Sequence, residues 1–245
     1  MKPIVLIPAR MASQRLPGKP LADIAGVPMI VRVWRQAVAA EIGPVVVAAA
    51  EREIAQAIEA AGGRAVLTKP DLPSGSDRIF AALELIDPAG QHDVIVNLQG
   101  DLPDLDPRYV KRVADMLSDP SVDIATLAAE IDNASDRDNA AVVKPVVAWQ
   151  GNVGRALYFS RATVPTGAGA HFHHLGIYAF RRAALARFVA LPPSPLEMRE
   201  KLEQLRALEA GMTIMVARVD SVPLSVDTAA DLERARAILG KKTST

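Results

Sequence analysis

Four aliphatic residues, Ile4-Val5-Leu6-Ile7, stop at Pro8, and three cations follow at short spacing: Arg10, Arg15 and Lys19. Arginine offers a fork of donors to phosphate oxygens, lysine adds a mobile point charge, and a glycine such as Gly18 lets the backbone come close. The combination suits a polyphosphate, although cations in so short a loop read equally well as solvated surface. Neither G-x-G-x-x-G nor G-x-x-x-x-G-K-[ST] is present there, so neither standard phosphate loop is implied. Two aspartates stand out further on: Asp101, in Gln99-Gly100-Asp101 after the apolar run Val94–Leu98, and Asp227, in Ser225-Val226-Asp227-Thr228. Taken alone, Asp101 is equally a turn residue or helix cap, and Asp227 a good N-cap. The stretch Lys69 to Arg78 is dense in turn formers and ends at a helix start, whose free N–H groups can receive an anion. His171, His173 and His174 crowd one loop, but no cysteine, H-E-x-x-H or other ligand spacing accompanies them, and a zinc site is rejected.

These residues need a scaffold that brings their segments to one edge. The apolar run at residues 4–7 reads as a strand buried on both faces. Helical spacing over Met29–Ala40, a β-branched strand Val45–Ala49, a helix Glu51–Ala61 and a strand Arg64–Thr68 follow. A helix Asp77–Ile86 capped by Ser76 and a strand Val94–Leu98 continue the alternation. Such a rhythm predicts right-handed crossovers and a mainly parallel sheet covered by helices, with ligands outside the carboxyl ends of its strands. Past Asp101 it loosens into a helix Pro107–Leu117 and strands Val122–Leu127, Val142–Trp149, Ala156–Ser160 and Leu175–Phe180. Strands without intervening helices predict an antiparallel section, with Pro145 at an edge or bulge because it cannot donate to a ladder. A helix Glu197–Ala210, a strand Thr213–Val219 and a last helix Thr228–Leu239 complete the chain.

The 245 residues can hold a sizeable core, and half of them are apolar. With 28 basic and 28 acidic residues and no basic run, nucleic acid and membrane surfaces are not expected partners. The lack of cysteine removes disulfides and thiolate metal sites and fits a cytoplasmic protein. No segment approaches the ~20 apolar residues that span a bilayer, and the amino terminus carries no signal-peptide pattern.

The opening motif Pro8-Ala9-Arg10-x-x-Ser13-x-Arg15-Leu16-Pro17-Gly18-Lys19-Pro20-Leu21, followed by Asp23-Ile24-Ala25-Gly26-Val27-Pro28, resembles the start of the sugar nucleotidyltransferases, and within them the 3-deoxy-manno-octulosonate (Kdo) cytidylyltransferases. Gln99-Gly100-Asp101, Tyr158-Phe159-Ser160-Arg161, His174-Leu175-Gly176-Ile177-Tyr178, Ser194-Pro195-Leu196-Glu197, Leu202-Glu203-Gln204-Leu205-Arg206 and Val226-Asp227-Thr228 continue the likeness in the family's order. The resemblance implies an α/β, Rossmann-like three-layer fold, with a mainly parallel sheet and an antiparallel sugar-binding section. It implies one nucleotidyltransferase domain over 1–245: a nucleotide-binding part at approximately 1–130, an acceptor-sugar and dimerisation part at 131–225, and a final helix at 226–240 packing back.

By the same resemblance, CTP and Kdo are the substrates and Mg²⁺ the cofactor, held by Asp101 and Asp227, in a homodimer. Pro8, Ala9, Arg10, Arg15, Lys19, Ser74, Arg78, Gln99 and Asp101 become nucleotide contacts, with Arg10, Arg15, Lys19, Asp101 and Asp227 the catalytic set. Arg161, His174, Tyr178, Glu197, Glu203 and Gln204 become sugar contacts. The implied reaction transfers CMP to the anomeric hydroxyl of Kdo for lipopolysaccharide biosynthesis. An amino-Kdo or other nonulosonic acid acceptor, or a nucleotide-binding homologue without turnover, is the alternative. The chain departs from the family pattern at Leu102, where relatives commonly carry an acid, and at Ala48-Ala49-Ala50, where an aspartate is frequent.

Overall fold

The computed structural model describes residues 1–12 and 15–242; Ser13 and Gln14 of the opening motif lie outside the described residues. In chain order the elements are β1 Pro3–Ala9, β2 Asp23–Ile24, β3 Val27–Pro28, α1 Met29–Ala39, β4 Val45–Ala49, α2 Arg52–Ala60, β5 Arg64–Leu67, α3 Gly75–Ile86, β6 Val94–Asn97 and α4 Pro107–Asp115. They continue as β7 Ile124–Glu130, α5 Ala134–Asp138, β8 Lys144–Gln150, β9 Val153–Ser160, β10 Phe172–Arg181, α6 Arg182–Ala190, α7 Pro195–Glu200, α8 Gln204–Glu209, β11 Ile214–Val219 and α9 Ala229–Lys242. The chain forms two compact units, Met1–Lys111 with Pro223–Thr245, and Arg112–Val222.

In the first unit β1 is the central strand. Val5, Leu6 and Ile7 are fully buried, as a strand covered on both faces requires. It pairs in parallel with β4 on one side and β6 on the other, and β4 pairs in parallel with β5. The order β5-β4-β1-β6 therefore steps outward twice and then returns across β1. Right-handed crossovers put α1 and α2 on one face and α3 on the other, which makes three layers. Reversal of direction between β1 and β6 creates a topological switch point, and a crevice opens beyond the carboxyl ends of these two strands. Both the cationic loop and Gln99-Gly100-Asp101 leave the sheet there.

The last helix closes this unit. Leu232, Ala235 and Leu239 of α9 pack with Val226 against Ile24 of the short β2–β3 hairpin and Met29. Thr228 caps α9, with Asp231 N–H donating to its hydroxyl and that hydroxyl donating to the Asp231 carboxylate at 2.8 Å. Asp227, whose other reading was the helix cap, does not fill that role, which falls to its neighbour, and its side chain is available for other partners. Similarly α3 begins two residues earlier than expected and is capped by Ser74, which accepts from Asp77 N–H at 3.2 Å, rather than by Ser76.

The second unit carries the sheet order β10-β7-β11-β9-β8. β7 and β11 are parallel, and the β10–β7, β11–β9 and β9–β8 pairs are antiparallel. Pro145 sits in β8, which ends this order, beside a bulge at Val146/Val147, where its missing donor costs no central ladder bond. A second bulge interrupts β10 between Leu175 and Tyr178. The helix expected over 197–210 is broken: Lys201 adopts a left-handed backbone (φ 56°) between α7 and α8. Helix α6 was not evident in the sequence, because Ala and Arg dominate it and its apolar face is narrow.

Candidate active site

A pocket of about 870 Å³ lies at the switch point, walled by Pro8, Ala9, Arg10, Arg15, Lys19, Ser74, Gly75, Arg78, Gln99, Gly100 and Asp101. Every residue expected to touch nucleotide is in that wall. Backbone bonds shape its entrance: Gly18, with φ 72°, donates to Met11 O at 3.2 Å, and Lys19 N–H donates to Leu16 O at 3.1 Å. Met11 N–H donates to the Glu51 carboxylate at 2.9 Å. Glu51 thus supplies an acidic group next to Ala50. Sequence reading passed over it as an ordinary first residue of a helix. Gly100 lies against the end of β1; a side chain there would meet Pro8 O and Ile30 Cδ1, each at 3.1 Å.

Lys19 is the centre of the charge arrangement. Its ammonium donates to Asp101 Oδ2 at 2.8 Å and to Asp227 Oδ1 at 2.9 Å, and Arg15 reaches the same Asp227 oxygen at 3.2 Å. Residues 126 positions apart meet because Val226 N–H donates to Asp101 O at 3.0 Å and Leu224 N–H to Asp104 Oδ1 at 2.8 Å, which lays the entry to α9 along residues 101–104. Burial opposes the charge of Lys19, but Asp101 and then Asp227 outweigh it, so its pKa rises above the ordinary lysine value. Leu102 is buried and offers no ligand.

Arg78 is buried, and its guanidinium donates to Thr68 Oγ1 at 2.7 Å, Lys69 O at 2.9 Å and Pro70 O at 3.1 Å. It therefore holds the turn that precedes α3 while lining the pocket. Burial and then the neighbouring Arg10 lower its pKa from the usual arginine value, a sign that two cations share this wall. Ser74 donates its hydroxyl to Asp77 at 2.7 Å, so what it brings to the pocket is the amino terminus of α3. Arg10 is exposed and Arg15 largely so; these two guanidiniums can meet a ligand with little rearrangement.

The expected sugar contacts all lie in the second unit. His174 is buried between Phe159 and Tyr178, with ring centroids 5.0 and 5.4 Å away. Burial, then the neighbouring His173, pulls its pKa down to about 3, so it is neutral at pH 7. Burial and then Glu203 raise the Tyr178 hydroxyl well above its usual value, and it stays protonated. Gln204 is buried at the start of α8, next to Glu203. Glu197 is engaged otherwise: Arg206 grips both of its oxygens at 2.6 and 2.8 Å, and Ser194 N–H adds a third bond at 3.0 Å. Arg161 donates to Glu200 O, Ala140 O and Lys201 O, which among the described residues leaves two of its five N–H groups uncommitted. Glu200, which the sequence did not single out, ties Ser160 Oγ and Arg161 N–H to the α7 corner at 2.8 and 3.0 Å.

Residues 4–214 match the model of the cytidylyltransferase family. Two curated 3-deoxy-manno-octulosonate cytidylyltransferases show how near the relatives are. That of Parvibaculum lavamentivorans is 63% identical over 242 residues, with 98% of this chain and 94% of that one covered. That of Rhodospirillum rubrum is 65% identical over 241 residues, covering 97% and 96%. A solved CMP:2-keto-3-deoxy-manno-octonic acid synthetase complexed with CTP superimposes with a TM-score of 0.92 at 39% identity, over 99% of this chain and all of that one. With the family model, these near-complete overlaps and a cationic pocket at the switch point of a Rossmann-ordered sheet, the chain belongs to the cytidylyltransferase family, among its 3-deoxy-manno-octulosonate cytidylyltransferases.

Proposed function

We propose that the protein transfers CMP from CTP to the anomeric hydroxyl of 3-deoxy-D-manno-octulosonate, giving CMP-Kdo and pyrophosphate for lipopolysaccharide biosynthesis. The observation that carries this reading is the meeting of Asp101 and Asp227 on Lys19, a residue of the pocket that also holds two exposed arginines and a helix amino terminus. Phosphoryl transfer is mostly positioning and charge stabilisation, and the pocket is equipped for both. Arg10, Arg15 and Lys19 hold the phosphates that leave, the amino terminus of α3 receives a further oxygen, and Gly100 keeps the floor low enough for close approach. The anomeric oxygen forms its bond to the α-phosphorus as the bond to the pyrophosphate oxygen breaks, and the hydroxyl proton passes to solvent.

The donor set fits Mg²⁺. Two hard carboxylates already share one cationic partner, and magnesium takes one or two protein carboxylates and completes its shell with phosphate oxygens and water. Among the described residues no group of three or more His, Asp or Glu is placed to hold an ion without such help. Asp101 and Asp227 would hold it, and when bound it supplies neutralisation of phosphate charge. On the acceptor side, His174, Tyr178, Glu203, Gln204 and the two free N–H groups of Arg161 contact the sugar, and Glu197 contributes by holding the α7 corner.

No helix among the described residues is long and apolar enough to cross a membrane. A cytoplasmic homodimer is part of the proposal, carried by the family likeness. Pyrophosphate release tests the function directly. Turnover is expected with CTP, Mg²⁺ and Kdo, and equal turnover with UTP would remove the cytidylyltransferase reading.

A further inference from the structure

Thr126, in the middle of β7, is completely buried, and its hydroxyl lies inside the β10 bulge. Three groups surround Oγ1: Ile177 O at 2.8 Å, Leu175 O at 3.1 Å and His174 Nε2 at 3.0 Å. A threonine hydroxyl has one proton and two lone pairs, whereas carbonyl oxygens only accept. If that proton went to Nε2, both carbonyls would turn their lone pairs on a bare oxygen at hydrogen-bond distance, a repulsion with no bond to offset it. The proton therefore goes to the bulge carbonyls, and Nε2 must be the donor to Oγ1. Burial keeps the ring neutral, so one nitrogen alone carries a proton. We propose that Thr126 fixes His174 as the Nε2–H tautomer, making Nδ1 a hydrogen-bond acceptor that selects a hydroxyl of the acceptor sugar and not its carboxylate.

The inference rests on the reading that His174 faces the acceptor, and it assigns the sugar's negative charge to other groups, since a neutral Nδ1 lone pair repels a carboxylate. Thr126 is a positioning residue: it touches the ring, not the substrate. Among the described residues the ring makes one hydrogen bond, through Nε2, and its contacts with Phe159 and Tyr178 are ring packing, so no second bond holds the other tautomer. Gly176 marks the spot in the sequence, because a bulge is what exposes the carbonyls that claim the Thr126 proton.

The test reads the tautomer without substrate. The chain has four histidines, so ¹⁵N-labelled imidazoles can be resolved and the His174 pair assigned by its loss in His174→Ala. At neutral pH, Nε2 of the wild type is expected to be protonated and Nδ1 bare. Thr126→Val keeps the shape and loses the hydroxyl; it is expected to mix the tautomers and to raise KM for the acceptor by the factor by which the Nε2–H population falls, about twofold for an even mixture, with kcat and KM for CTP unchanged. Thr126→Ser should restore both readouts. A protonated Nδ1 in the wild type, or an unchanged tautomer and acceptor KM in Thr126→Val, overturns the proposal. Should Thr126→Val not fold, the wild-type spectrum still decides, together with acceptor analogues. An analogue with a methyl ester at the carboxylate should lose the same factor in wild type and His174→Ala; a loss confined to the wild type would mean that His174 reads the carboxylate and would also overturn it. Absence of turnover with any acidic keto-sugar would remove the functional reading and leave the tautomer measurement intact.

Discussion

Replacing Asp227 by asparagine separates a ligand from a structural residue, because the structure removes the usual ambiguity. The α9 cap belongs to Thr228 and Asp231, so Asp227→Asn leaves the helix start intact. What it loses is charge beside Lys19 at 2.9 Å and Arg15 at 3.2 Å. The Asp227 side chain is 39% exposed, so screening limits the stability of these pairs to about 1 kcal/mol, or ~2–4 °C in the melting temperature for a chain of this size. Turnover should fall far more. Loss of one well-placed electrostatic group at a phosphate site slows reactions by ~100-fold or more, which corresponds to about 2.7 kcal/mol. Asp101→Asn should behave alike, and because both carboxylates serve one assembly, the double variant should be much less than multiplicatively worse. The assay is steady-state pyrophosphate release across a magnesium titration, run beside thermal melts without metal. Wild-type turnover in Asp227→Asn at every magnesium concentration would refute the reasoning, and so would a rate loss no larger than the stability loss implies.

Two further outcomes follow from buried carboxylates. Glu197→Gln breaks a fork to Arg206 in which both side chains are under 15% exposed, and should cost about 2–3 kcal/mol in a denaturant titration, while CTP affinity stays within about twofold. Burial opposes the charge of Asp87, but the backbone N–H groups of His92 and Gln91 and the His92 ring outweigh it and hold its pKa well below the usual carboxylate range. A depressed folded-state pKa means that its stabilisation is fully present above the unfolded value of ~3.9 and is lost as pH falls below it. Asp87→Asn should therefore be less stable than wild type at neutral pH, and the gap should narrow in melts taken below about pH 4.

The nucleotide half was legible because its signals are local. A buried strand needs a continuous apolar run, and the alternation of such runs with helical stripes leaves few topologies; crossover handedness then sets which face each helix covers, while the strand order itself comes from the structure. The approach of Asp101 and Asp227 was not legible in spacing. It depends on two backbone hydrogen bonds from residues 224 and 226 and on α9 packing against a two-residue-per-strand hairpin too short to carry a periodicity. Lys201 was missed for a related reason. Its side-chain type fits a continuous helix over 197–210, whereas the backbone there enters the left-handed region, with Glu200 O and Lys201 O accepting from Arg161.

The harder problem was telling which cations are free. Composition counts Arg10, Arg15, Arg78, Arg161 and Arg206 as equals, yet a guanidinium's role depends on how many of its five donors the fold has already claimed. Arg78 gives three hydrogen bonds to a turn, Arg161 three to backbone carbonyls, and Arg206 two to Glu197 and one to Leu191 O. Such donors cannot be released cheaply, because carbonyls left bare in a buried corner cost more than an exposed ion pair returns. Among the described residues exposed Arg10 carries no such commitment, and Arg15 has only the pair to Asp227 that an arriving phosphate can replace. The pocket thus combines fixed cations that shape the wall with loose ones that follow the ligand, and removing the first kind should damage folding before binding, while removing the second should damage binding alone.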